Sequence, residues 1–385
     1  MTKILCLDNE GGHGGSSRSL YFVLEAMDRS DLSVTVWCKR KSWLVEEYEK
    51  RGIDCRICPR MPKYTVVEQF HGNLFEFFHF ITIQLPLSFS FLRQLLLHCS
   101  KTDIVHINHI SLLPLAFVIR LTNKHVRIVT HVRTMPPPSF FARAQAKLCN
   151  YISDKHIFIT ENEQLHFQRL CNCHVPGQII YNAVKQQKAH KLRKAEGRER
   201  HITVLSLSNF SFQRGVDRVI EVAKCLPREE RHNFSFILAG NIPLQTKKVL
   251  SNKGINLKEE IQRAGIEDLF SFTGHVSSPE RLIKNSDVLL KLTRENNPWG
   301  RDILEALGAG LPVASIGSYN KFVETNQTGL LLENFDAQIV ANWLVYLSHN
   351  PSEIKMLAVN AIDRIKRLNS PEIAAHLLKF SWVYK

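Results

Sequence analysis

The stretch ENNPWGRDILEALGAGLPVAS, residues 295–315, joins a polar loop to a helix and then to a buried strand. Asn297 and Pro298 are typical of a helix start, and the apolar residues that follow recur at the spacing of one helical face. Gly308 ends the predicted helix, and residues 311–314 predict a strand. Since a helix N-terminus exposes N–H groups and a partial positive charge, the polar loop suits a phosphate group.

The same stretch also fits an ordinary connection in an α/β protein. In that case Arg301 and Glu305 form a solvent-exposed ion pair one helical turn apart, and the loop has no ligand. The preference of helix ends for anions is general, so the remainder of the chain has to separate these alternatives.

The size and charge of the chain narrow the possible functions. It has 385 residues, of which 44% are hydrophobic, which is enough for the packed cores of two domains. The formal net charge of +14 predicts an anionic partner: nucleic acid, an anionic membrane surface or a phosphorylated substrate. Only four apolar residues separate Lys3 from Asp8, so we expect no signal peptide and a cytoplasmic protein.

The most apolar stretch, residues 74–99, is interrupted by polar residues that include Glu76, Pro86 and Arg93. It falls short of the roughly 18 uninterrupted apolar residues of a membrane span. One interpretation is a pair of buried helices that meet near Pro86. The other is an apolar surface lying in a membrane interface, with nearby Lys and Arg side chains on anionic headgroups. The second interpretation makes the protein peripheral to the inner face of a membrane.

Nine cysteines raise the alternative of a metal site. Cys55 and Cys58, together with Cys171, Cys173 and His174, could supply four zinc ligands. The first pair falls in a predicted β-strand, and the spacing of the second cluster is not that of a zinc knuckle. We therefore expect reduced cytosolic thiols and no metal.

Short apolar strands alternate with helices in two parts of the chain, which predicts an α/β fold with two doubly wound parallel sheets. Residues 1–185 are the first Rossmann-like domain, and residues 201–370 are the second. Residues 186–200 are basic and polar, as in an interdomain linker. Residues 371–385 are expected to form a C-terminal helix that packs back on the first domain. The cleft between the two domains is the expected active site.

Several motifs converge on one known family. The chain resembles the retaining glycosyltransferases of family four over nearly its whole length. The strongest match is NPWGRDILEALGAGLPVAS, where the family has Glu, any residue, Phe-Gly, four residues and Glu-Ala. Glu305 stands at the second glutamate, Asn297 at the first, and Trp299 replaces the phenylalanine before Gly300. Further matches are the loop GGHGGSSRSL, the segments FILAG and FTGHV, the strand DVLLKLT, and IIYNAV at the end of the first domain. The resemblance implies the GT-B fold, in which two Rossmann-like domains face each other across a cleft.

The resemblance also implies a nucleotide-diphosphate sugar as donor substrate. Glu305 would accept hydrogen bonds from the ribose hydroxyls, and Asn297, Pro298 and Trp299 would line the donor sugar. The family usually has two cations after the first strand of the second domain, and SNFSFQRG keeps only Arg214, with Asn209 at the other position. The residues expected at the diphosphate are Gly14, Gly15, Asn209, Arg214, Trp299, Gly300 and Arg301.

Residues of the first domain are expected near the reacting groups. His131 ends a strand in VRIVTHVRT, and the family places a histidine here near the donor sugar. His131 and Asn297 are therefore the expected catalytic residues. Arg133 is expected to meet an acceptor phosphate, with an exposed arginine as the alternative. His13, inside the glycine loop, faces either the acceptor or solvent.

The implied reaction retains the anomeric configuration and needs no metal or other cofactor. The acceptor hydroxyl attacks from the front face, the leaving phosphate takes its proton, and the protein stabilises the departing diphosphate. In the first domain, apolar surface beside the basic segments CKRKSW and CRICPRMPKY predicts a glycan or lipid-diphosphate-linked acceptor. Such acceptors are used in bacterial surface polysaccharide assembly, including that of lipopolysaccharide.

Other functions remain as alternatives at this point. One is a GT-B nucleotide-sugar epimerase or phosphorylase, and another is a basic module that binds nucleic acid or a membrane without catalysis. Basic motifs interleaved with aromatic residues are absent from the sequence, so we expect no nucleic acid as partner. A dinucleotide oxidoreductase would need G-x-G-x-x-G after its first strand, and GGHGGSSRS does not satisfy that spacing cleanly.

Overall fold

A computed structural model describes residues 1–11, 14–67, 70–185, 201–208, 210–240, 256–276 and 279–384. The chain divides into two compact units, of which the first combines residues 1–183 with 371–385 and the second comprises residues 184–370. Each unit contains one parallel sheet with helices, so the predicted fold class is confirmed. The predicted linker, residues 186–200, lies outside the described residues.

The first unit is built on a seven-stranded parallel sheet in the order β3-β2-β1-β4-β5-β6-β7. Its strands are β1 (Thr2–Asp8), β2 (Leu32–Cys38), β3 (Asp54–Ile57), β4 (Ile104–Ile107), β5 (Arg127–Val132), β6 (Lys155–Phe158) and β7 (Gln178–Ile179). Its α-helices up to β7 are α1 (Gly15–Ala26), α2 (Trp43–Lys50), α3 (Phe70–His79), α4 (Leu85–Leu87), α5 (Phe89–Cys99), α6 (Leu113–Thr122), α7 (Phe140–Ile152) and α8 (Glu161–Cys171). A π-helix, Phe80–Gln84, joins α3 to α4. Helices cover both faces of the sheet, which explains why β1 and β4 are continuous apolar runs rather than alternating ones.

The second unit has a six-stranded parallel sheet in the order β10-β9-β8-β11-β12-β13. Its strands are β8 (Ile202–Leu207), β9 (Phe234–Ala239), β10 (Phe270–Gly274), β11 (Val288–Lys291), β12 (Val313–Ile316) and β13 (Gly329–Leu332). Its helices are α9 (Val216–Cys225), α10 (Leu257–Arg263), α11 (Glu280–Lys284), α12 (Arg301–Gly308), α13 (Ala337–His349) and α14 (Pro351–Asn369).

The strand order reverses once in each sheet. The reversal lies between β1 and β4 in the first unit and between β8 and β11 in the second. At such a point the loops that leave the two neighbouring strands diverge and open a crevice, which is where doubly wound folds bind ligands. The loops after β1, β4, β8 and β11 are therefore the ones that position the candidate sites.

The last helix, α15 (Pro371–Val383), belongs to the first unit although it follows the second in sequence. Leu378 and Trp382 of α15 are buried in the same hydrophobic cluster as Leu20 and Leu24 of α1. The Trp382 indole Nε1 also donates a hydrogen bond to His106 Nδ1 of β4 at 3.2 Å. The chain terminus is thereby tied to the centre of the first sheet.

Residues 70–99 do not form a buried helix pair. Phe75, Phe78, Leu87 and Phe89 are 69%, 61%, 61% and 74% exposed, whereas α5 buries three of its residues in the core. In the described chain no single helix is long and apolar enough to cross a membrane, although the helices His71–Leu87 and Phe89–Cys99, bent by 72°, together meet that requirement. We call residues 70–99 the apolar segment.

Candidate functional site

The candidate site of the second unit lies where the loops after β8 and β11 diverge. α12 begins at Arg301 with Gly300 as its N-cap, so the predicted helix start at Asn297 and Pro298 is wrong. The Trp299 N–H instead donates to the Asn297 carbonyl at 2.8 Å, which closes a turn before the helix. Gly300 has no side chain to cap α12, and within the first turn the Ile303 N–H donates to Asp302 Oδ1 at 3.1 Å.

The loop before α12 is held by the loop that follows β12. Asn296 Oδ1 accepts a hydrogen bond from the Ser318 N–H at 3.1 Å. The rings of Trp299 and Tyr319 meet edge to face with their centroids 5.2 Å apart. Gly317 has a φ of +144°, and a Cβ there would lie 2.5 Å from Asn296 Oδ1. These contacts fix the loop where it enters the helix.

Arg301 and Glu305 form an ion pair that is shielded from solvent. Arg301 Nε lies 2.7 Å from Glu305 Oε1, and the two side chains are 13% and 9% exposed. The alternative of a solvent-exposed pair is therefore wrong. Removal of one partner would leave a poorly solvated charge, because neither side chain can turn freely into water. The pair places an anionic hydrogen-bond acceptor one turn into α12.

A second buried ion pair, which the sequence analysis missed, joins β11 to α12. Lys291, the last residue of β11, is 4% exposed, and its Nζ contacts Asp302 Oδ2. Asp302 lies in the first turn of α12, where a carboxylate favours the helix but repels a phosphate. Lys291 neutralises that repulsion. A lysine inside the apolar strand DVLLKLT was the available signal, because a buried lysine needs an anionic partner.

Arg214, Glu295 and Asn297 are linked by contacts between the two loops. Arg214 NH1 lies 3.4 Å from Glu295 Oε2, and the same oxygen accepts a hydrogen bond from Asn297 Nδ2 at 2.8 Å. Arg214 is 39% exposed, so this pair adds little stability and the guanidinium remains accessible to an anion. Glu295 thus supplies a carboxylate next to Asn297, where the resemblance predicts a glutamate. For Asn297 Oδ1, which is buried, the described residues provide no hydrogen-bond donor.

In the first unit, Asp8 at the end of β1 holds together the loops where the strand order reverses. It is 2% exposed and accepts hydrogen bonds from the Gly11 N–H at 2.8 Å, Ser17 Oγ at 2.6 Å and Asn108 Nδ2 at 2.9 Å. These donors come from the loop after β1, from α1 and from the loop after β4. One buried carboxylate therefore fixes the relative positions of all three.

The glycine loop ends where α1 begins. Gly14 is the N-cap, with a φ of −110°, and Gly15 is the first helical residue. A Cβ at Gly14 would lie 3.4 Å from the nearest atom, Glu10 Cγ, which is an ordinary contact. The backbone of Gly14 therefore does not require glycine, and what the residue supplies is open space at the helix N-terminus.

His131 lies at the end of β5 and is 4% exposed. Its Nδ1 is 3.0 Å from Arg133 NH2, and since a guanidinium can only donate, the ring proton of a neutral His131 sits on Nε2. Burial, followed by the charge of Arg133, lowers the pKa of His131 well below its ordinary value and keeps the ring neutral. The described part of the chain offers no hydrogen-bond partner to the buried Nε2.

Arg133 is half-buried rather than exposed. Its Nε donates to the Asn108 carbonyl at 3.0 Å, and its NH1 donates to Asn182 Oδ1 at 2.7 Å. Its NH2 donates to Asn108 Oδ1 at 2.9 Å and also contacts His131. These bonds orient the imidazole, which makes Arg133 a positioning residue for His131.

The predicted site residues fall into two groups. The second unit brings together Arg214, Asn297, Pro298, Trp299, Gly300, Arg301 and Glu305 on the loops after β8 and β11 and the start of α12. The first unit holds Gly14 and Gly15 at the start of α1, and His131 and Arg133 at the end of β5. His13 and Asn209 lie outside the described residues, and their roles stay predictions.

No cluster of three or more His, Cys, Asp or Glu side chains suited to a metal ion occurs within the described ranges. The described residues Cys55, Cys58, Cys171, Cys173 and His174 belong to no such cluster, and these four cysteines are free.

Two Rossmann-like units, each with polar residues where its strand order reverses, are consistent with the GT-B fold. Two family models match consecutive parts of the chain, Glycosyltransferase Family 4 over residues 13–188 and Glycosyl transferases group 1 over residues 188–364. Together the two models span residues 13–364, so the chain belongs to the group 1 glycosyltransferases. The predicted family and enzyme class are confirmed, and retention of configuration stays a prediction. No curated protein sequence matches the chain.

Solved structures share the fold along the whole chain. Anabaena HepE in complex with UDP is 19% identical with a TM-score of 0.75, and the alignment covers 98% of each chain. A glycosyltransferase from Rickettsia africae is 15% identical with a TM-score of 0.71, covering 99% of this chain and 97% of its own. The lipopolysaccharide outer core galactosyltransferase WaaB is 15% identical with a TM-score of 0.66, covering 99% of both chains.

Proposed function

We propose that this glycosyltransferase moves a sugar from a nucleoside-diphosphate donor, with retention of configuration, to a hydroxyl of a glycan or lipid-linked acceptor. The observation that carries the donor assignment is the start of α12, where Gly300, the Arg301–Glu305 pair and the loop with Asn297 adjoin Arg214. Structures of HepE with UDP and with UDP-glucose support a nucleotide sugar as the donor class.

The donor diphosphate lies at the N-terminus of α12, with the solvent-accessible Arg214 as its cation. Arg214 is only loosely paired with Glu295, at 3.4 Å, so a phosphate oxygen can replace that carboxylate as its partner. Glu305 accepts hydrogen bonds from the ribose while Arg301 Nε, at 2.7 Å, holds the carboxylate in place. Preorganised donors of this kind stabilise charge that develops on the leaving group.

The chemical step needs no enzyme nucleophile in this proposal. The acceptor oxygen forms the new bond to the anomeric carbon on the face from which the diphosphate leaves. The bond from that carbon to the phosphate oxygen breaks, and the acceptor proton passes to the leaving phosphate. Asn297 Oδ1 accepts a hydrogen bond from a hydroxyl of the donor sugar, and the catalytic role expected of His131 stays a prediction.

A two-stage experiment tests the reaction. A thermal-shift screen over UDP, GDP, ADP, CDP and dTDP identifies the base, because a ligand at 100 times its dissociation constant adds about 2.7 kcal/mol of stability. The matching α-linked nucleotide sugar is then hydrolysed slowly without an acceptor, and NMR follows the anomer that forms first. We expect the α anomer before mutarotation. A first-formed β anomer would contradict retention.

We further propose peripheral membrane contact through the apolar segment. Glu76 and Arg93 are the only acidic or strongly basic residues among residues 70–99, while Phe78 and Phe89 are 61% and 74% exposed. Apolar side chains in such number, on a chain with a net charge of +14, suit the interface of an anionic bilayer. WaaB, a lipopolysaccharide galactosyltransferase of the same fold, supports a bacterial surface polysaccharide as the product.

Sedimentation with vesicles tests the membrane contact. We expect binding to vesicles that contain anionic lipid, with partial release at high salt because the electrostatic part is screened. A variant with Phe78→Ser and Phe89→Ser should lose most of the binding, whereas Leu165→Ser, which alters a 51% exposed residue on α8, should bind normally. Equal binding by both variants would remove the apolar segment from the interface.

A further inference from the structure

The turn that carries Arg214 is too short to hold its own position. It is a 3-10 helix of three residues, Phe212–Arg214, in the loop after β8. Within it the Arg214 N–H donates to the Ser211 carbonyl at 3.0 Å. Because such a helix has poorer hydrogen-bond geometry than an α-helix, contacts with other elements must fix the turn.

Arg294, in the loop after β11, supplies several of these contacts. Its NH1 donates to the Phe212 carbonyl at 2.6 Å, and its guanidinium carbon lies 3.7 Å from the centroid of the Phe212 ring. A cation over an aromatic face is attracted by the charge distribution of the ring. The Arg294 backbone N–H donates to the Gln213 carbonyl at 2.8 Å. Arg294 therefore contacts both residues that precede Arg214.

Asp217 fixes the guanidinium of Arg294 in turn. Arg294 NH1 donates to Asp217 Oδ1 at 2.9 Å and NH2 donates to Oδ2 at 2.6 Å. The two side chains are 20% and 10% exposed, so the pair is shielded from solvent. A two-point contact of this kind sets the plane of the guanidinium as well as its distance. Since Asp217 lies in the first turn of α9, Arg294 is bonded on both sides of Arg214.

Gly215 lets the turn lie directly on the loop after β11. Its φ is +66°, and a Cβ there would lie 1.9 Å from the Leu292 carbonyl oxygen. Thr293 Oγ1 donates to the Gln213 carbonyl at 3.0 Å. The two loops are thus packed against each other without a gap, and the position of one determines that of the other.

The backbone beside Arg214 is held on both sides, whereas its side chain is accessible. The side chain is 39% exposed, and its contact with Glu295 is 3.4 Å long. A fixed backbone brings the guanidinium to one place, and a loosely paired side chain can exchange its partner there. This combination suits a cation that meets a phosphate, because a preorganised charge needs little rearrangement when the ligand binds.

We propose that Arg294 is a positioning residue of the donor site, which together with Asp217 holds the turn so that Arg214 reaches the diphosphate. The assignment rests on the proposed donor site and adds a residue that supports it. Arg294 acts through Arg214 and makes no contact of its own with the donor. It should therefore contribute nothing to donor binding once the Arg214 guanidinium is removed.

A double-mutant cycle tests this dependence, with calorimetry on the nucleoside diphosphate identified in the thermal screen and on the matching nucleoside. Arg294→Met should weaken the nucleoside diphosphate by about tenfold and the nucleoside by less than about twofold, as for residues coupled in one network. In the Arg214→Ala background, Arg294→Met should change neither affinity by more than about twofold. Arg231→Met is the matched control, because Arg231 also donates to backbone carbonyls of the second unit, those of Leu226 and Lys224, and should bind both ligands normally.

Arg294→Lys separates positioning from stability. Arg294→Met leaves the shielded carboxylate of Asp217 without a counterion, which costs stability. Lysine keeps a positive charge beside Asp217 but lacks the planar group that bonds both carboxylate oxygens and the Phe212 carbonyl. In thermal melts Arg294→Lys should therefore be more stable than Arg294→Met, yet it should keep most of the loss in nucleoside-diphosphate affinity.

Equal effects of Arg294→Met in the two backgrounds, or an equal loss for nucleoside and nucleoside diphosphate, would overturn the positioning role. Full affinity in Arg294→Lys would also overturn it, because neutralising Asp217 would then be all that Arg294 does. If no nucleoside diphosphate binds the unmodified protein, or if Arg214→Ala binds it normally, the proposed donor site fails and the positioning role fails with it. If Arg214→Ala weakens binding and Arg294→Met does not, only the positioning role fails.

Discussion

The two units place their functional groups in different electrostatic settings. In the second unit, charged side chains near the site are matched by opposite charges, as in Lys291 with Asp302 and Arg301 with Glu305. In the first unit, His131 and His106 are buried imidazoles that a lowered pKa keeps neutral, and the charged Arg133 contacts His131 at 3.0 Å. Prepaired charges reorganise little when a donor diphosphate binds, whereas neutral donors such as His131 Nε2–H suit the hydroxyls of a sugar.

The contrast also bears on how each unit responds to its surroundings. Buried ion pairs are sensitive to the loss of one partner, because the other is left without compensation. Buried neutral histidines are sensitive to acid, because protonation requires a charge in a poorly solvated place. We therefore expect the loss of one ion-pair partner to destabilise the second unit, and acid to destabilise the first.

The largest effect is expected at Glu305. Glu305→Ala removes two charge-assisted hydrogen bonds to the ribose, so kcat/KM should fall by roughly 10²- to 10⁴-fold. The specific readout is UDP against 2′-deoxy-UDP, or the matching pair for another base, because only the unmodified protein should discriminate between them. Arg301→Met serves as a control for the broken ion pair. If Glu305→Ala still discriminates between the two nucleotides, the ribose role belongs to another residue.

Acid should destabilise the first unit before the second. Burial lowers the pKa of His106 to about 3 and those of His109 and His156 to about 4, and it lowers that of His131 well below 6.5. The unfolded chain then binds more protons than the folded one below pH 6.5, so stability is full above that pH and falls as the pH drops towards 4. Each histidine contributes at most about 1.4 kcal/mol per pH unit in this window.

Hydrogen exchange at pH 7 and pH 5 measures this difference unit by unit. The described histidines of the second unit, His201, His232, His275 and His349, are exposed, so that unit should lose less protection. Replacing His156, which lies away from the site, with Phe should reduce the pH dependence in the first unit, and His349→Gln should not. Equal loss of protection in both units at pH 5 would break the comparison.

Arg214 should act on the diphosphate alone. Its pair with Glu295 is exposed and long, so Arg214→Ala should leave the melting temperature nearly unchanged. It should weaken nucleoside-diphosphate binding by roughly 10- to 100-fold while leaving nucleoside binding intact, because the lost bond is to phosphate. Calorimetry with both ligands measures the difference. A parallel loss for nucleoside and nucleoside diphosphate would place Arg214 outside the diphosphate site.

The smallest effect is expected at Asn297. Asn297→Asp restores a carboxylate where the family has glutamate, but it puts two negative charges in contact, because Asn297 Nδ2 lies 2.8 Å from Glu295 Oε2. Donor affinity should fall by only a few fold, as for like charges at a partly exposed site. Adding Glu295→Gln should restore it, which a fluorescence titration can resolve. If the double variant binds no better than Asn297→Asp, the two residues do not share one carboxylate position.

Local sequence patterns were sufficient to predict part of the candidate donor site. The helix at residues 301–308 and its end at Gly308 follow from apolar spacing and glycine, whereas its start was placed too early because Asn297 and Pro298 close a turn of their own. The partnership of Lys291 with Asp302 could not be derived, since it depends on how a strand end meets a helix start.

The surface features of the first unit were harder to predict from the sequence. Composition could not decide whether residues 70–99 are buried or exposed, because both kinds of helix are apolar. Asn9, Lys63 and His109 line one cavity of about 470 Å³ in the first unit, although they come from three different loops. Their proximity is a property of the sheet order, and no spacing along the chain reports it.

The central claim is that a nucleoside diphosphate binds at the N-terminus of α12, and hydrogen exchange with the base identified in the thermal screen tests it most directly. We predict slower exchange of the backbone amides in the loop before α12 and in its first turn, residues 299–304, together with the turn at Arg214. Glu305→Ala should reduce that protection, while Lys101→Gln should preserve it. A nucleoside diphosphate that binds tightly but leaves residues 299–304 exchanging as in the free protein would contradict the account.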